Sequence, residues 1–237
     1  VAFTDQLTSD PSWTSDLGNH AILSATVNLS TGVTRHAVGG FAFGADGFTV
    51  PGLHLLDAAN GDVVPWTPLA SAGVGIGADN VRGVAIDEAG GFVYAAGISR
   101  NASGSLLPAR DVNRFSLATG LLDTSWIATV SLGPTPTLLI DGGFLYVAGL
   151  NSATATDNST VPALARFSLV GNGKADPGFK PFASNTNLQA MVMDAAFIYV
   201  GGNGTLARID RSTGMIDATW GLAATPPGTV TALALGE

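Results

Sequence analysis

The chain of 237 residues contains no cysteine, which excludes disulfides, thiolate metal sites and cysteine nucleophiles while leaving the redox compartment open. Charge is scarce: 12% of residues are Asp, Glu, Lys or Arg, where a typical soluble domain carries about 25%. Lysine occurs only as Lys174 and Lys180. Acids outnumber bases 18 to 10, for a net charge of -8 and a pI near 4.6. Such a balance opposes attraction to phosphates and excludes nucleic acid as the expected partner. Gly, Asp, Asn or Ser interrupts every apolar run, so nothing approaches the roughly 18 uninterrupted apolar residues of a transmembrane helix. There is no Gly-X-Ser-X-Gly elbow, phosphate loop or dinucleotide fingerprint, which removes the motif-based routes to a hydrolase, kinase or dehydrogenase. Val1-Ala2-Phe3-Thr4-Asp5 has neither a basic nor an apolar signal region, so any secretion signal is expected to have been removed or never to have been part of the chain.

What the chain has instead is 31 glycines, 46% hydrophobic residues and a mean hydropathy of +0.34, enough to build a core and too apolar for disorder. One pattern recurs. Phe92-Val93-Tyr94-Ala95-Ala96-Gly97 is echoed by Phe144-Leu145-Tyr146-Val147-Ala148-Gly149 and Phe197-Ile198-Tyr199-Val200-Gly201-Gly202, at intervals of 52 and 53 residues. Arg35-His36-Ala37-Val38-Gly39-Gly40 is a degraded earlier copy. Each copy is followed by a second element, Val112-Asn113-Arg114-Phe115, Leu164-Ala165-Arg166-Phe167 and Leu206-Ala207-Arg208-Ile209, with Leu53-His54-Leu55-Leu56 in the weak copy. Each closes on Asp, two residues, then Trp or Phe: Asp123 to Trp126, Asp176 to Phe179, Asp217 to Trp220. The weak copy keeps only Trp66.

Every unit thus holds four short β-prone segments separated by turn residues and no helical periodicity. In the second unit the strands are expected near 81–86, 91–97, 111–117 and 121–127, joined by tight turns such as Asp87-Glu88-Ala89-Gly90 and Ala118-Thr119-Gly120. Four antiparallel strands in about 50 residues, repeated, predict an all-β β-propeller of four-stranded blades. A β-sandwich is the alternative, and it leaves the regular return of the same aromatic and glycine positions unexplained. The blades are expected at about 21–66, 81–126, 135–179 and 187–220, with partial blades at 1–13 and 228–237, all in one repeat domain. The 1–13 segment carries Val1-Ala2-Phe3 and Asp10-Pro11-Ser12-Trp13, resembling the end of a unit. The Val230-Thr231-Ala232-Leu233-Ala234-Leu235 run matches Leu188-Gln189-Ala190-Met191-Val192-Met193, which opens one. Four units with a part at either end do not obviously close a ring, so flanking blades or other copies are expected to supply missing strands.

With these residues in view, the chain resembles the delta-60 repeat family of bacterial β-propellers, most closely in Leu164-Ala165-Arg166-Phe167 with Asp176-Pro177-Gly178-Phe179. The resemblance implies a secreted or surface-associated propeller and brings no catalytic residues with it; the expected location is extracellular or at the cell surface, with the periplasm as the alternative. The first unit departs from the pattern, with Leu55 at the Arg position and no spaced Asp.

Several side chains invite a chemical reading. Trp13, Trp66, Trp126, Phe179 and Trp220 can be read as a sugar-stacking array, but one aromatic per repeat is better explained as packing between blades, each ring burying on the order of 150 to 250 Å². Arg114, Arg166 and Arg208 beside Asp123, Asp176 and Asp217 are read as repeated structural ion pairs rather than an anion site. Tyr94, Tyr146 and Tyr199 belong to the same repeat framework. His20, His36 and His54 lack metal-ligand spacing. Asp46 and Asp79 fit turn chemistry better than a calcium loop. No metal or other cofactor is expected. The sequons at Asn28, Asn101, Asn158 and Asn203 fit chance in an Asn-, Ser- and Thr-rich chain better than glycosylation.

The most telling irregularity is loop length. The second-to-third connection runs 13 residues from Gly40 to Leu53, 15 from Gly97 to Val112, 15 from Gly149 to Leu164 and 4 from Gly202 to Leu206. In an up-and-down blade these connections share a face with the stretches 67–80, 127–136 and 221–229, and unequal insertions on one face are a footprint of binding on a rigid scaffold. Phe41, Phe43, Phe48, Leu106, Leu107 and Val161, with Asn101 and Asn158 as polar neighbours, are the expected contacts for a protein or glycan. The expected function is a noncatalytic extracellular or cell-surface module. The alternative is a secreted or periplasmic glycan-active hydrolase using loop carboxylates such as Asp46, Asp79 and Asp111.

Overall fold

A computed structural model describes residues 21–26, 35–41, 53–57, 59–71, 74–77, 81–97, 100–101, 112–126, 128–220 and 228–236. Among them there are only strands and turns, no helix. The strands, numbered in chain order, form five three-stranded sheets, antiparallel throughout. Sheet one is β1 (Ala21–Thr26), β2 (Arg35–Phe41) and β3 (Leu53–Asp57). A small ancillary sheet joins β4 (Leu69–Ser71), β5 (Val74–Gly77) and β8 (Arg100–Asn101). Sheet two is β6 (Val81–Asp87), β7 (Phe92–Gly97) and β9 (Val112–Ser116). Sheet three is β10 (Val130–Asp141), β11 (Phe144–Thr154) and β12 (Thr160–Ser168). Sheet four is β13 (Leu188–Met193), β14 (Phe197–Gly202) and β15 (Thr205–Asp210).

The meander order follows from short turns with the right chemistry. Between β10 and β11 the chain reverses through Gly142 and Gly143, both at positive φ (55° and 81°), the backbone that a two-residue hairpin matched to strand twist demands. Register then follows the repeat: Tyr94 pairs with Arg114, Tyr146 with Arg166 and Tyr199 with Arg208.

The fourth strand of each unit is shorter than its sequence suggests. It contributes a single bridge to the third strand: Leu56 to Val63, Phe115 to Leu122, Phe167 to Ala175 and Ile209 to Ile216. The cause in three units is the next aspartate. Asp123 Oδ1 accepts from Ser125 N at 2.8 Å, Asp176 Oδ1 from Gly178 N at 2.8 Å and Asp217 Oδ1 from Thr219 N at 2.8 Å. Such an Asx turn curls the backbone out of the ladder.

Successive sheets pack face to face. One buried cluster joins Leu53 and Leu55 of sheet one to Val84, Val93 and Phe115 of sheet two. A second joins Tyr94 and Val112 of sheet two to Leu145, Val147 and Phe167 of sheet three. A third joins Tyr146 and Leu164 of sheet three to Met191, Ile198 and Val200 of sheet four. The sheets approach one another along their first strands, β6 lying against β1 and β2, β10 against β6 and β7, and β13 against β10 and β11. Small residues permit that approach: a Cβ on Gly83 would stand 2.8 Å from Leu138 Cδ1 in β10.

The long connection of the third unit is not a loop. β11 and β12 continue the hairpin to Thr154 and Thr160, through bulges between Ala148 and Leu150 and between Leu150 and Ala153. The hairpin is bent where Ala163 takes φ 64°, an uncommon backbone for a residue with a Cβ. Its tip folds back onto its own sheet, where Ala155 bridges Ala175 and Thr156 N donates to Ala175 O at 3.0 Å. In consequence Ala153, Ala155 and Val161 are buried in the cluster that holds Trp126.

Candidate functional site

The described residues bring together one constellation three times. In sheet two the Arg114 guanidinium lies 4.2 Å from the Phe92 ring centroid and 5.4 Å from that of Trp126. In sheet three Arg166 lies 4.4 Å from Phe144 and 4.7 Å from Phe179, and in sheet four Arg208 lies 4.2 Å from Phe197 and 5.6 Å from Trp220. Each arginine also reaches the aspartate that follows its strand. Arg114 pairs with Asp123 through Nε (3.0 Å) and Nη2, Arg166 with Asp176 through Nε (3.2 Å) and Nη2 (2.5 Å), and Arg208 with Asp217 through Nε (3.1 Å) and Nη2 (2.5 Å). The tyrosine one strand over stacks edge-on against the closing aromatic: Tyr94 on Trp126 at 5.2 Å, Tyr146 on Phe179 at 5.7 Å, Tyr199 on Trp220 at 5.5 Å.

The sequence places these groups together because a strand alternates its faces. Phe92 and Tyr94 are two residues apart and share one side of β7, and register sets Arg114 directly opposite Tyr94 on β9. Planar guanidinium against ring faces is a favourable arrangement, and the carboxylate satisfies the remaining donors. Burial of the Asp123 carboxyl works against its charge, yet hydrogen bonds from Ser125 and Arg114 outweigh it and hold the group below its ordinary range. Hydrogen bonds from Thr219 and Arg208 hold Asp217 far below that range. Burial pushes the Tyr94 phenol up, while Tyr199 is raised by its hydrogen bond to Asp194. These are the shifts of ion-paired and buried groups, not of a carboxylate poised to accept a proton near neutrality.

Trp66 of the first unit and the constellations of sheets two and three also reach forward to the next sheet's turn. Trp66 Nε1 donates to Ser116 O at 3.1 Å and Trp126 Nε1 to Ser168 O at 3.2 Å. Arg114 Nη1 donates to Leu169 O at 2.6 Å and Arg166 Nη1 to Arg211 O at 3.2 Å. Phe179 has no donor and packs on Gly214, at φ 71°, where a Cβ would meet its ring at 2.8 Å. An ion pair between Arg211 and Asp141 adds a side-chain link from sheet four back to sheet three. The forward-reaching donors were not legible in the sequence because their acceptors are main-chain carbonyls. The stacking of Phe92, Phe144 and Phe197 on arginine was signalled by the first letter of each Phe-X-Tyr run but not assigned a partner.

Of the expected contacts on the long-loop face, Phe43, Phe48, Leu106 and Leu107 lie outside the described residues, as do Trp13, His20, Asn28, Asp46, Asp79 and Asp111. Phe41 ends β2 and Asn101 ends β8. Val161 is fully buried, its relative exposure 0%, so the folded-back hairpin withdraws it from any partner. Asn158 is exposed at the hairpin tip, with φ 66°, and its Oδ1 accepts from Lys174 Nζ at 3.3 Å. Asn203 is exposed as well. Nearby, Asn151 Nδ2 donates to Leu132 O at 2.9 Å and Asn185 Nδ2 to Asn151 Oδ1 at 3.1 Å, so the extended hairpin stands beside the start of β10 and the connection out of its sheet. Among the described residues no cluster of three or more His, Asp or Glu has metal-ligand geometry, and no helix is long and apolar enough to cross a membrane.

No family model matches the chain and no curated protein does. Among solved structures it is similar to the computationally designed Ika4 protein (14% identity, 67% of this chain and 81% of that one, TM-score 0.41). It is also similar to the designed Ika8 protein (11% identity, 95% of this chain and 69% of that one, TM-score 0.43). A third similarity is to the extracellular domain assigned to the one-component system BT4673 of B. thetaiotaomicron (17% identity, 83% of this chain, TM-score 0.45), of which the chain spans only 22%.

Proposed function

We propose that the chain is the larger part of a β-propeller and serves as a noncatalytic interaction or scaffolding module at the cell surface or outside the cell. The observation that carries this reading is the recurrence of one ring, guanidinium and carboxylate constellation at successive sheet junctions, with first strands closely apposed and large aromatics between the outer strands. A wedge of that kind, narrow at glycine and alanine and wide at Trp126 and Phe167, suits sheets arranged radially. The repeated aspartates and arginines are engaged with one another and with the backbone, so their chemistry is spent on holding sheets together. The resemblance to secreted delta-60 repeat proteins fits a location outside the cytoplasm. Partner contact then falls to the connections beside Asn151 and Asn185 and to the neighbouring long connections.

The test has two arms. Far-UV circular dichroism should give less than about 10% helix, and electron microscopy of the purified chain should show sheets arranged about an axis; a strong helical minimum or a two-layer sandwich would overturn the architecture. For function, labelled protein should bind a member of a glycan or surface-protein panel and show no turnover of chromogenic glycosides. Turnover abolished by Asp46→Asn, Asp79→Asn or Asp111→Asn would assign the protein to the hydrolases instead.

A further inference from the structure

Sheet four repeats the forward-facing constellation of sheets two and three, but among the described residues no further sheet covers it. Tyr94, Arg114 and Trp126 are buried in sheet two, and Tyr146 and Phe179 in sheet three, whereas Tyr199 and Trp220 are only half-buried. The guanidinium follows the same gradient, Arg114 having 7% of its side chain exposed, Arg166 15% and Arg208 23%. No described carbonyl of another sheet accepts from Arg208 Nη1 or Trp220 Nε1, although the equivalent donors, Arg114 Nη1, Arg166 Nη1 and Trp126 Nε1, find Leu169, Arg211 and Ser168.

A segment in the position of a further first strand is nevertheless in place. Residues 228–236 return to sheet four, where Thr229 bridges Asn203 and Val230 N donates to Gly202 O at 3.0 Å. Val230 and Leu233 crowd the space a Cβ on Gly201 would take, as Val81 and Val84 of β6 do above Gly39 of β2. The segment therefore sits where a first strand sits at an earlier junction, and its sequence is of the first-strand type. Residues 231–235 pair with no described strand, and Leu235 is 48% exposed.

We infer that residues 230–235 and the open face of sheet four, with Phe197, Tyr199, Arg208 and Trp220, form an acceptor surface for strands two to four of another such unit. The occupant is defined by continuity with the junctions already built. Its second strand pairs antiparallel with residues 230–235, as β14 pairs with β13. The turn after its third strand brings two main-chain carbonyls to Trp220 Nε1 and Arg208 Nη1. Strand addition of this kind draws affinity from the backbone and selectivity from alternate side chains.

The test uses the whole 237-residue chain with two synthetic probes: a peptide copying residues 197–220, and a shorter one copying 197–202 that needs no fold of its own to pair. Hydrogen exchange of the 230–235 amides should slow by at least about tenfold with either probe and not with scrambled versions. Ala232→Pro should abolish that protection by both probes. Trp220→Ala should weaken binding of the longer probe by about tenfold or more, leave the short one nearly unchanged, and leave the fold of sheets two and three intact by their own exchange. Fast exchange at 230–235 with saturating amounts of both probes would overturn the inference. So would amides already protected in the monomer, since the surface would then be filled from within the chain, and so would protection indifferent to Ala232→Pro or Trp220→Ala.

Discussion

Trp126 and Trp220 occupy the same position in the repeat, each edge-on to a tyrosine at 5.2 and 5.5 Å and each beside an Arg–Asp pair. Their surroundings differ. Trp126 has 1% of its surface exposed, enclosed by Phe167 of the next sheet and by the hairpin residues Ala153, Ala155 and Val161; Trp220 is half-buried. Local geometry is therefore set inside each unit by strand register and an Asx turn, while burial is conferred by the neighbour. The identical constellation should carry unequal weight in the two places.

Removing the cover is the most drastic way to abolish the difference. If residues 150–163 are replaced by a tight Asn-Gly turn like that of sheet four, Trp126 loses part of its enclosure and the chain should unfold at markedly lower denaturant, because buried alanines and Val161 go with the hairpin. An unchanged midpoint would mean that the hairpin is dispensable packing. Next in size, Trp126→Ala and Phe179→Ala should each cost about 3 to 5 kcal/mol in chemical denaturation, and Trp220→Ala roughly 1 kcal/mol. Equal losses at Trp126 and Trp220 would show that both junctions are covered in solution.

The ion pairs give a third comparison. Asp123→Ala leaves Arg114 charged and mostly buried and should cost about 3 kcal/mol, with a clearly smaller loss for Asp217→Ala; calorimetric midpoints of the two variants measure the ratio. The smallest effect concerns pH. Both carboxylates titrate below the ordinary aspartate value of 3.8 when folded. The unfolded chain thus takes up protons first, so their contribution to stability is complete above that value and is lost as pH falls through and below it. Denaturant titrations between about pH 6 and pH 2 should show the slope reduced in Asp123→Asn, which has no carboxyl to protonate.

How much of this was readable beforehand depended on whether a feature is periodic. Tyr94, Tyr146 and Tyr199, with the arginines opposite and the spaced aspartates, recur, so strand order, the ion pairs and the all-β class follow from pattern alone. The fourth strands read too long because Leu121 and Leu122 look like a strand opening, whereas the carboxylate of Asp123 captures the backbone two residues later. The hairpin of sheet three was opaque for the opposite reason. Ala153, Thr154, Ala155 and Thr156 alternate but lack the bulk of a core-facing strand, and the bend at Ala163 needs a positive φ that no glycine announces. Val161 consequently looked like an exposed contact, although it is held in the core. The candidate face for partners was legible only as unequal loop lengths, since ligand chemistry has no period.

The acceptors that the closing tryptophans and the repeated arginines find on the next sheet are the carbonyls of Ser116, Ser168, Leu169 and Arg211. A carbonyl is offered by every residue, so these bonds test the shape of the neighbouring turn and ignore which side chains it bears. Adjacent units can then diverge in sequence without losing their fit, and a unit copied or exchanged by recombination would arrive already compatible with its new neighbours. Lineages built this way can change their number of units by duplication in one step, and diversify their exposed connections afterwards.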